Sequence, residues 1–209
     1  MPIKLETYRR KWFEFFAQCA QKADEYMGKL ERLGFEAIKT KDEPDEVVWV
    51  VKWKGQPITS LQLMLDKIDS NYMSRHIYPR VPAFLITYDG VFEAFERLPS
   101  KKDKAMEVVD YCLSQFCEAV IIEAMKRELL ENLGFFAEIS GKTLNTYLAK
   151  RDNYLSFGIS LDGEIIQIDV GVIWGGKWQR DFTLYYHLDQ NPIQSVEGIV
   201  KGVVLEMSL

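Results

Sequence analysis

Histidine and cysteine, which carry much nucleophilic and metal chemistry, are scarce in this chain: two His and three Cys in 209 residues. No cysteine adjoins a histidine and no Gly-x-Ser-x-Gly elbow occurs, so no nucleophile-and-base pair of familiar spacing is on offer. Cys112 and Cys117 lie on one helical pattern and cannot complete a zinc site by themselves. With Cys19 they make an odd number, all on helical patterns, which reads as free thiols packed as small hydrophobes in a reducing compartment.

Long apolar runs are also missing. Stretches such as Ala119 to Ile122 fall far short of the ~20 residues of a membrane helix. Lys4, Glu6, Arg9, Arg10 and Lys11 arrive before the apolar core of a leader could begin. The expectation is a cytoplasmic protein with no membrane contact. An excess of positive charge is absent too, because the net charge is −5. Residues 1–100 balance 15 basic against 15 acidic side chains, and residues 101–209 hold 11 against 16. That distribution argues against a general nucleic-acid coat, which relies on many cations at phosphates.

What is present is a foldable chain, 47% apolar and 27% charged, long enough to bury a core without disulfide or metal. Leu30-Glu31-Arg32-Leu33-Gly34-Phe35-Glu36-Ala37 recurs as Leu130-Glu131-Asn132-Leu133-Gly134-Phe135-Phe136-Ala137, six identities in eight at a spacing of 100. Each copy ends a helical pattern with a glycine suited to a left-handed C′ position and a phenylalanine suited to a Schellman contact. Val47, Trp49, Val51 and Trp53 then alternate in one half, and Leu155, Phe157, Ile159 and Leu161 in the other. On this alignment Gly141 to Leu148 is expected to be a loop insertion.

Helical stripes are predicted over Leu5–Leu33, Ser100–Leu133 and residues 192–208, the last with Asn191 as cap and Pro192 at the first helical position. Strand signals and the turns Asp89-Gly90 and Gly175-Gly176 predict antiparallel hairpins rather than parallel crossovers. The fold class expected is α+β: two similar helix-plus-antiparallel-sheet units by internal duplication, residues 1–99 and 100–209. They would share a central helix at 100–133 and end in a C-terminal helix.

Two places could carry recognition. Tyr72, Arg75, His76, Tyr78 and Arg80 fall in a segment with no counterpart in the other half, and could stack on or pair with a planar or anionic ligand. The same residue types suit a connecting loop. Trp174, Lys177, Trp178 and Arg180 surround a glycine turn and could form a stacking platform or a protein-contact hot spot. They also suit an ordinary hairpin, and Gly-Gly-Lys lacks the spacing of a phosphate-wrapping loop.

Asp42-Glu43-Pro44-Asp45-Glu46 ahead of Val51-Lys52-Trp53-Lys54 resembles metal-dependent nucleases, in which an acidic residue two positions before lysine joins an Asp in holding Mg²⁺. Val50 or Lys52 occupies that position, so the ligand is missing; Asp162, Glu164 and Asp169 form a second acidic group. Ser100-Lys101-Lys102-Asp103-Lys104-Ala105 is similar to the basic start of the second helix of double-stranded RNA-binding domains. That likeness covers six residues, at an interval too long for the family, and it assigns no functional residue.

With 27 aromatic residues and no catalytic constellation, the sequence is read as a non-enzymatic intracellular binding or regulatory protein without cofactor or metal. It would engage a partner protein through aromatic-rich sheet and loop surface that includes Trp49, Trp53, Trp174 and Trp178, and could self-associate as a homodimer. The alternatives are a nucleotide or single-stranded nucleic-acid binder, and a metal-dependent phosphodiesterase or nuclease using Asp42, Asp45, Asp162 and Asp169.

Overall fold

The computed structural model describes residues 5–64, 83–86, 92–94, 102–148 and 150–207. Its architecture is α+β, with three helices and two antiparallel sheets. Helix α1 runs Leu5–Arg32, α2 Lys102–Leu133 and α3 Pro192–Met207. The first sheet is a meander of β1 (Glu36–Glu43), β2 (Glu46–Trp53), β3 (Gln56–Met64), β4 (Ala83–Ile86) and β5 (Phe92–Ala94). The second is a meander of β6 (Phe136–Ser140), β7 (Thr143–Leu148), β8 (Lys150–Asp162), β9 (Ile165–Trp174) and β10 (Lys177–His187). Among the described residues no helix is long and apolar enough to cross a membrane.

The chain forms two compact units, residues 1–28 with 35–116, and residues 29–34 with 117–209. The division falls inside both long helices rather than at a linker. Helix α1 gives its last turn to the second unit, and α2 changes unit after Phe116.

In the first unit, β2 alternates strictly because one of its faces is buried: Val47, Trp49, Val51 and Trp53 lie inside and their neighbours are half-exposed. Buried helical residues of the same unit include Phe15, Phe16, Cys19 and Ala23 of α1 and Val109 and Leu113 of α2. The Trp49 indole N–H is satisfied by Asp24 Oδ1 at 3.1 Å, while Asp24 Oδ2 takes Lys39 Nζ at 3.0 Å. Trp49 and Trp53 are 1% and 5% exposed, which corrects their assignment to an interaction surface. They occupy inward positions of a central strand and fill the core. Tyr26 Oη donates to Asp110 Oδ1 at 2.9 Å, joining α1 to α2 within this unit.

Two strands differ from the sequence expectation. Glu36–Glu43 pairs with β2 as edge strand β1, although its side chains are mostly exposed and polar. Gly141 to Leu148 is not a loop: Gly141, at φ 61°, and Lys142 form a two-residue turn, and Thr143–Leu148 is the regular strand β7. Its alternation of Leu144, Thr146 and Leu148 inward is short, and the polar Thr146 at its centre weakens the apolar signal.

Gly34 and Gly134 both take positive φ, at 90° and 65°, as helix-ending glycines do. Their hydrogen bonds differ. Gly34 N donates to Glu31 O at 2.9 Å, whereas after Gly134 it is Phe135 N that reaches back to Leu129 O at 3.2 Å. Asn191 is not a side-chain cap for α3; it is itself left-handed at φ 43°, closing the 3-10 turn Leu188–Gln190, and its side-chain oxygen is buried without a partner. Its backbone carbonyl instead accepts from Gln194 N at 3.2 Å.

The three cysteines are buried and form no disulfide. Burial pushes the Cys19 thiol up to about 12 and raises that of Cys117 as well. Both should resist a water-soluble disulfide reagent in the folded protein at about pH 8 and react once the chain is denatured. Rapid labelling of either in the native protein would contradict their placement.

Candidate functional site

The second sheet has one buried and one open face, and the alternation of β8 shows which is which. Leu155, Phe157, Ile159 and Leu161 are buried, as are Ile166, Ile168, Val170 and Val172 of β9. Val120, Ile121, Met125 and Leu129 of α2 and Ile193, Val196 and Val200 of α3 supply further core of the same unit. Strand β8 outruns β7, whose first residue, Thr143, pairs with Gly158. Beyond that point the Leu161 N–H finds the buried carboxylate of Glu118 on α2, at 3.1 Å. At the same end of the sheet Arg32 of α1 spans Glu164 and Asp189, meeting Asp189 Oδ1 at 2.9 Å and holding that carboxyl below its usual range.

The open face carries a row of large side chains crossing all five strands. Register places Phe136 opposite Tyr147, Tyr147 opposite Tyr154, Tyr154 opposite Ile173, and Ile173 opposite Trp178. Directly opposed residues share a face, so these five form one line, about 19 Å long at the usual strand spacing of about 4.8 Å. The ring centroids of Phe136 and Tyr147 are 5.7 Å apart, and those of Tyr147 and Tyr154 5.5 Å apart. Ile173, flanked by Tyr154 and Trp178, is only 6% exposed, whereas the ends of the row, Phe136 and Trp178, are 60% and 62% exposed.

Trp178 is held in place by a gap in its neighbour. Its indole lies over Gly171, where a Cβ would overlap the six-membered ring. A bulge between Trp178 and Arg180 twists β10 at this point. Glycine here serves close approach rather than backbone freedom.

Away from the row the open face carries Tyr185, 66% exposed, with Ile165, Gln167 and His187, and otherwise small or acidic residues. Glu138, Asp162, Asp169 and Asp181 occupy open-face positions by the same register. Tyr147 donates to Glu138, and Asp169 accepts from Gln167 Nε2 at 3.0 Å and Thr183 Oγ1 at 2.7 Å. Among the described residues none of these four carboxylates has a Lys or Arg at ion-pair distance. Other exposed acids of this unit do, including Glu164 and Asp189 with Arg32, Glu206 with Arg180 and Glu197 with Lys201.

The hairpin expected to form a stacking platform divides its residues. Trp174 opposes Lys177, and Trp178 opposes Ile173, so the two tryptophans project from opposite faces and cannot stack on one ligand together. Arg180 is exposed but ion-paired with Glu206 of α3. It stands at an open groove of about 520 Å³ lined by Phe182, Leu184 and Tyr186 of β10 and by Ser195, Ile199 and Val203 of α3. Tyr72, Arg75, His76, Tyr78 and Arg80 lie outside the described residues.

Asp42 and Asp45 belong to the first unit, Asp162 and Asp169 to the second. Among the described residues no group of three or more His, Cys, Asp or Glu is gathered to hold a metal ion. His187, at the end of β10, accepts from Asp189 N and caps the 3-10 turn.

No protein-family model, curated protein or solved structure matches the chain. Any functional reading therefore rests on the face itself. Sequence reasoning reached Trp178 but missed Phe136, Tyr147 and Tyr154. The signal existed in part, since Tyr154 falls on the outward parity of the recognised β8 pattern, but Tyr147 became visible only once β7 was a strand.

Proposed function

We propose that this chain is a non-enzymatic binding or regulatory protein that engages a partner protein through the open face of its second sheet. The observation that carries this is the aromatic row Phe136–Tyr147–Tyr154–Ile173–Trp178, whose exposed ends lie on the solvent side of a sheet with an independently filled core. Exposed aromatics aligned across strands supply large contact area at small conformational-entropy loss, the chemistry of interface hot spots. The acidic surroundings weigh against phosphate-bearing ligands on this face. Three buried cysteines outside any disulfide support a reducing, cytoplasmic setting.

The internal duplication belongs to the same proposal. Each half follows a helix ending at Gly34 or Gly134 with a five-stranded meander, and counting β7 as a strand removes the insertion that the sequence alignment required. On this reading β2 corresponds to β7 and β3 to β8. Trp49 then stands in a core position while the aromatic row is a specialisation of the second unit.

The test is recovery of partners from the native cell by crosslinking, with the wild-type chain and with Phe136→Ser and Trp178→Ser variants. Partners retained by the wild type should be lost from both variants. Identical partner sets would remove this face from consideration.

A further inference from the structure

We propose that the open face of the second sheet docks a basic polypeptide segment, whose arginine or lysine side chains lie on the aromatic row and direct their charge to the carboxylates beside it. This deepens the proposed function, and it rests on that reading of the face as a protein-binding surface.

The argument is charge complementarity combined with ring chemistry. Glu138 and Asp181 sit one register position from the row on the outermost strands, next to Phe136 and Trp178 respectively. Asp169 lies between the outer strands on β9. These carboxylates accept hydrogen bonds from neutral donors or from none that is described, and no described Lys or Arg is at ion-pair distance from them, whereas Glu164 and Glu206 of the same unit are ion-paired. Such acids beside exposed rings match a guanidinium or ammonium group, which stacks on an aromatic face and ion-pairs at its edge. The second half of the chain carries the whole negative excess, which would steer such a segment during encounter. In an extended peptide, side chains on one side recur every ~6.6 Å, so a row of about 19 Å takes about three of them.

The test uses the full chain and a fluorescein-labelled octapeptide of alternating arginine and serine, read by fluorescence anisotropy at low salt. Two control peptides replace arginine by glutamine or by glutamate, and a labelled single-stranded oligonucleotide is a fourth probe. The arginine peptide should bind at least tenfold more tightly than the glutamine peptide, and neither the glutamate peptide nor the oligonucleotide should bind. Trp178→Ala and Phe136→Ala, which leave net charge unchanged, should each weaken binding about tenfold, as should Asp181→Asn. Asp42→Asn, which removes an equal charge from the first unit, should change it less than twofold. Circular dichroism and denaturation midpoints establish that each variant is folded.

Equal weakening by Asp42→Asn and Asp181→Asn, or full binding by both aromatic variants, would show diffuse attraction and overturn the proposal. Preference for the oligonucleotide would overturn it as well. The two readings fail separately: loss of cellular partners from the row variants, without preference for the arginine peptide, leaves the face standing and removes the basic partner. Retention of every partner removes both.

Discussion

Trp49→Ala is expected to lower the free energy of unfolding by about 3–5 kcal/mol, whereas Trp178→Ala should move it by no more than ~0.5 kcal/mol. The residue type is the same and the difference comes from position. Trp49 is 1% exposed on the inward side of β2, between two paired strands, and its truncation opens a large cavity among side chains already packed against it. Alanine also strands Asp24, whose Oδ1 accepts the indole N–H and whose Oδ2 takes Lys39. Trp178 is 62% exposed and rests on Gly171, so its removal uncovers part of Ile173 and little else. The check is a denaturant titration of both variants with equal slopes. Comparable losses for the two would mean that Trp178 is a structural element, and the open face would lose its claim to be a surface kept for binding.

The same contrast explains what could be read from the sequence. Helices α1 and α3 were legible because each carries an apolar stripe at spacings of three and four, whereas α2, apolar nearly all round, was legible from its length and its freedom from proline and glycine. Strands β2, β8 and β9 were legible because one face of each is fully buried, which enforces alternation. Strand β1 was not, because an edge strand with both faces largely in water is fixed by backbone pairing to β2 and leaves no apolar trace in residues such as Lys39 and Lys41. Strand β7 failed for a related reason: with Thr146 inward and Tyr147 outward its polarity runs against the usual pattern at its centre.

The candidate site was legible only one residue at a time. Phe136, Tyr147, Tyr154, Ile173 and Trp178 are spread over 43 positions of sequence and meet through four successive registers. No local pattern encodes that line, since each strand contributes one member and the turns set the alignment. A tryptophan near a glycine turn attracts notice wherever it points. Its face is decided by the bulge at Trp178/Arg180 and by the absence of a Cβ at Gly171, both of which need the partner strand to be known.

Glu118→Ala is expected to lower stability by about 1–3 kcal/mol, the loss associated with leaving a buried backbone donor without its acceptor. A carboxylate in the middle of an apolar helix is otherwise a liability, because Phe116, Val120 and Ile121 around it are almost wholly buried. Its position follows from unequal strand lengths. Strand β8 spans 13 residues and β7 six, so the pairing of β7 stops at Gly158 and Leu161 N lies beyond it. Glu118 Oε1 at 3.1 Å closes that end from α2 and fixes the helix against the sheet at the same time. Glu118→Gln keeps an oxygen acceptor of the same reach and should lose less than the alanine variant. The measurement is the denaturation midpoint of both variants together with amide exchange at Leu161, which should accelerate in Glu118→Ala and stay slow in Glu118→Gln. If exchange at Leu161 is equally slow in both, the carboxylate is not what satisfies that donor, and the long end of β8 must be held by something other than α2.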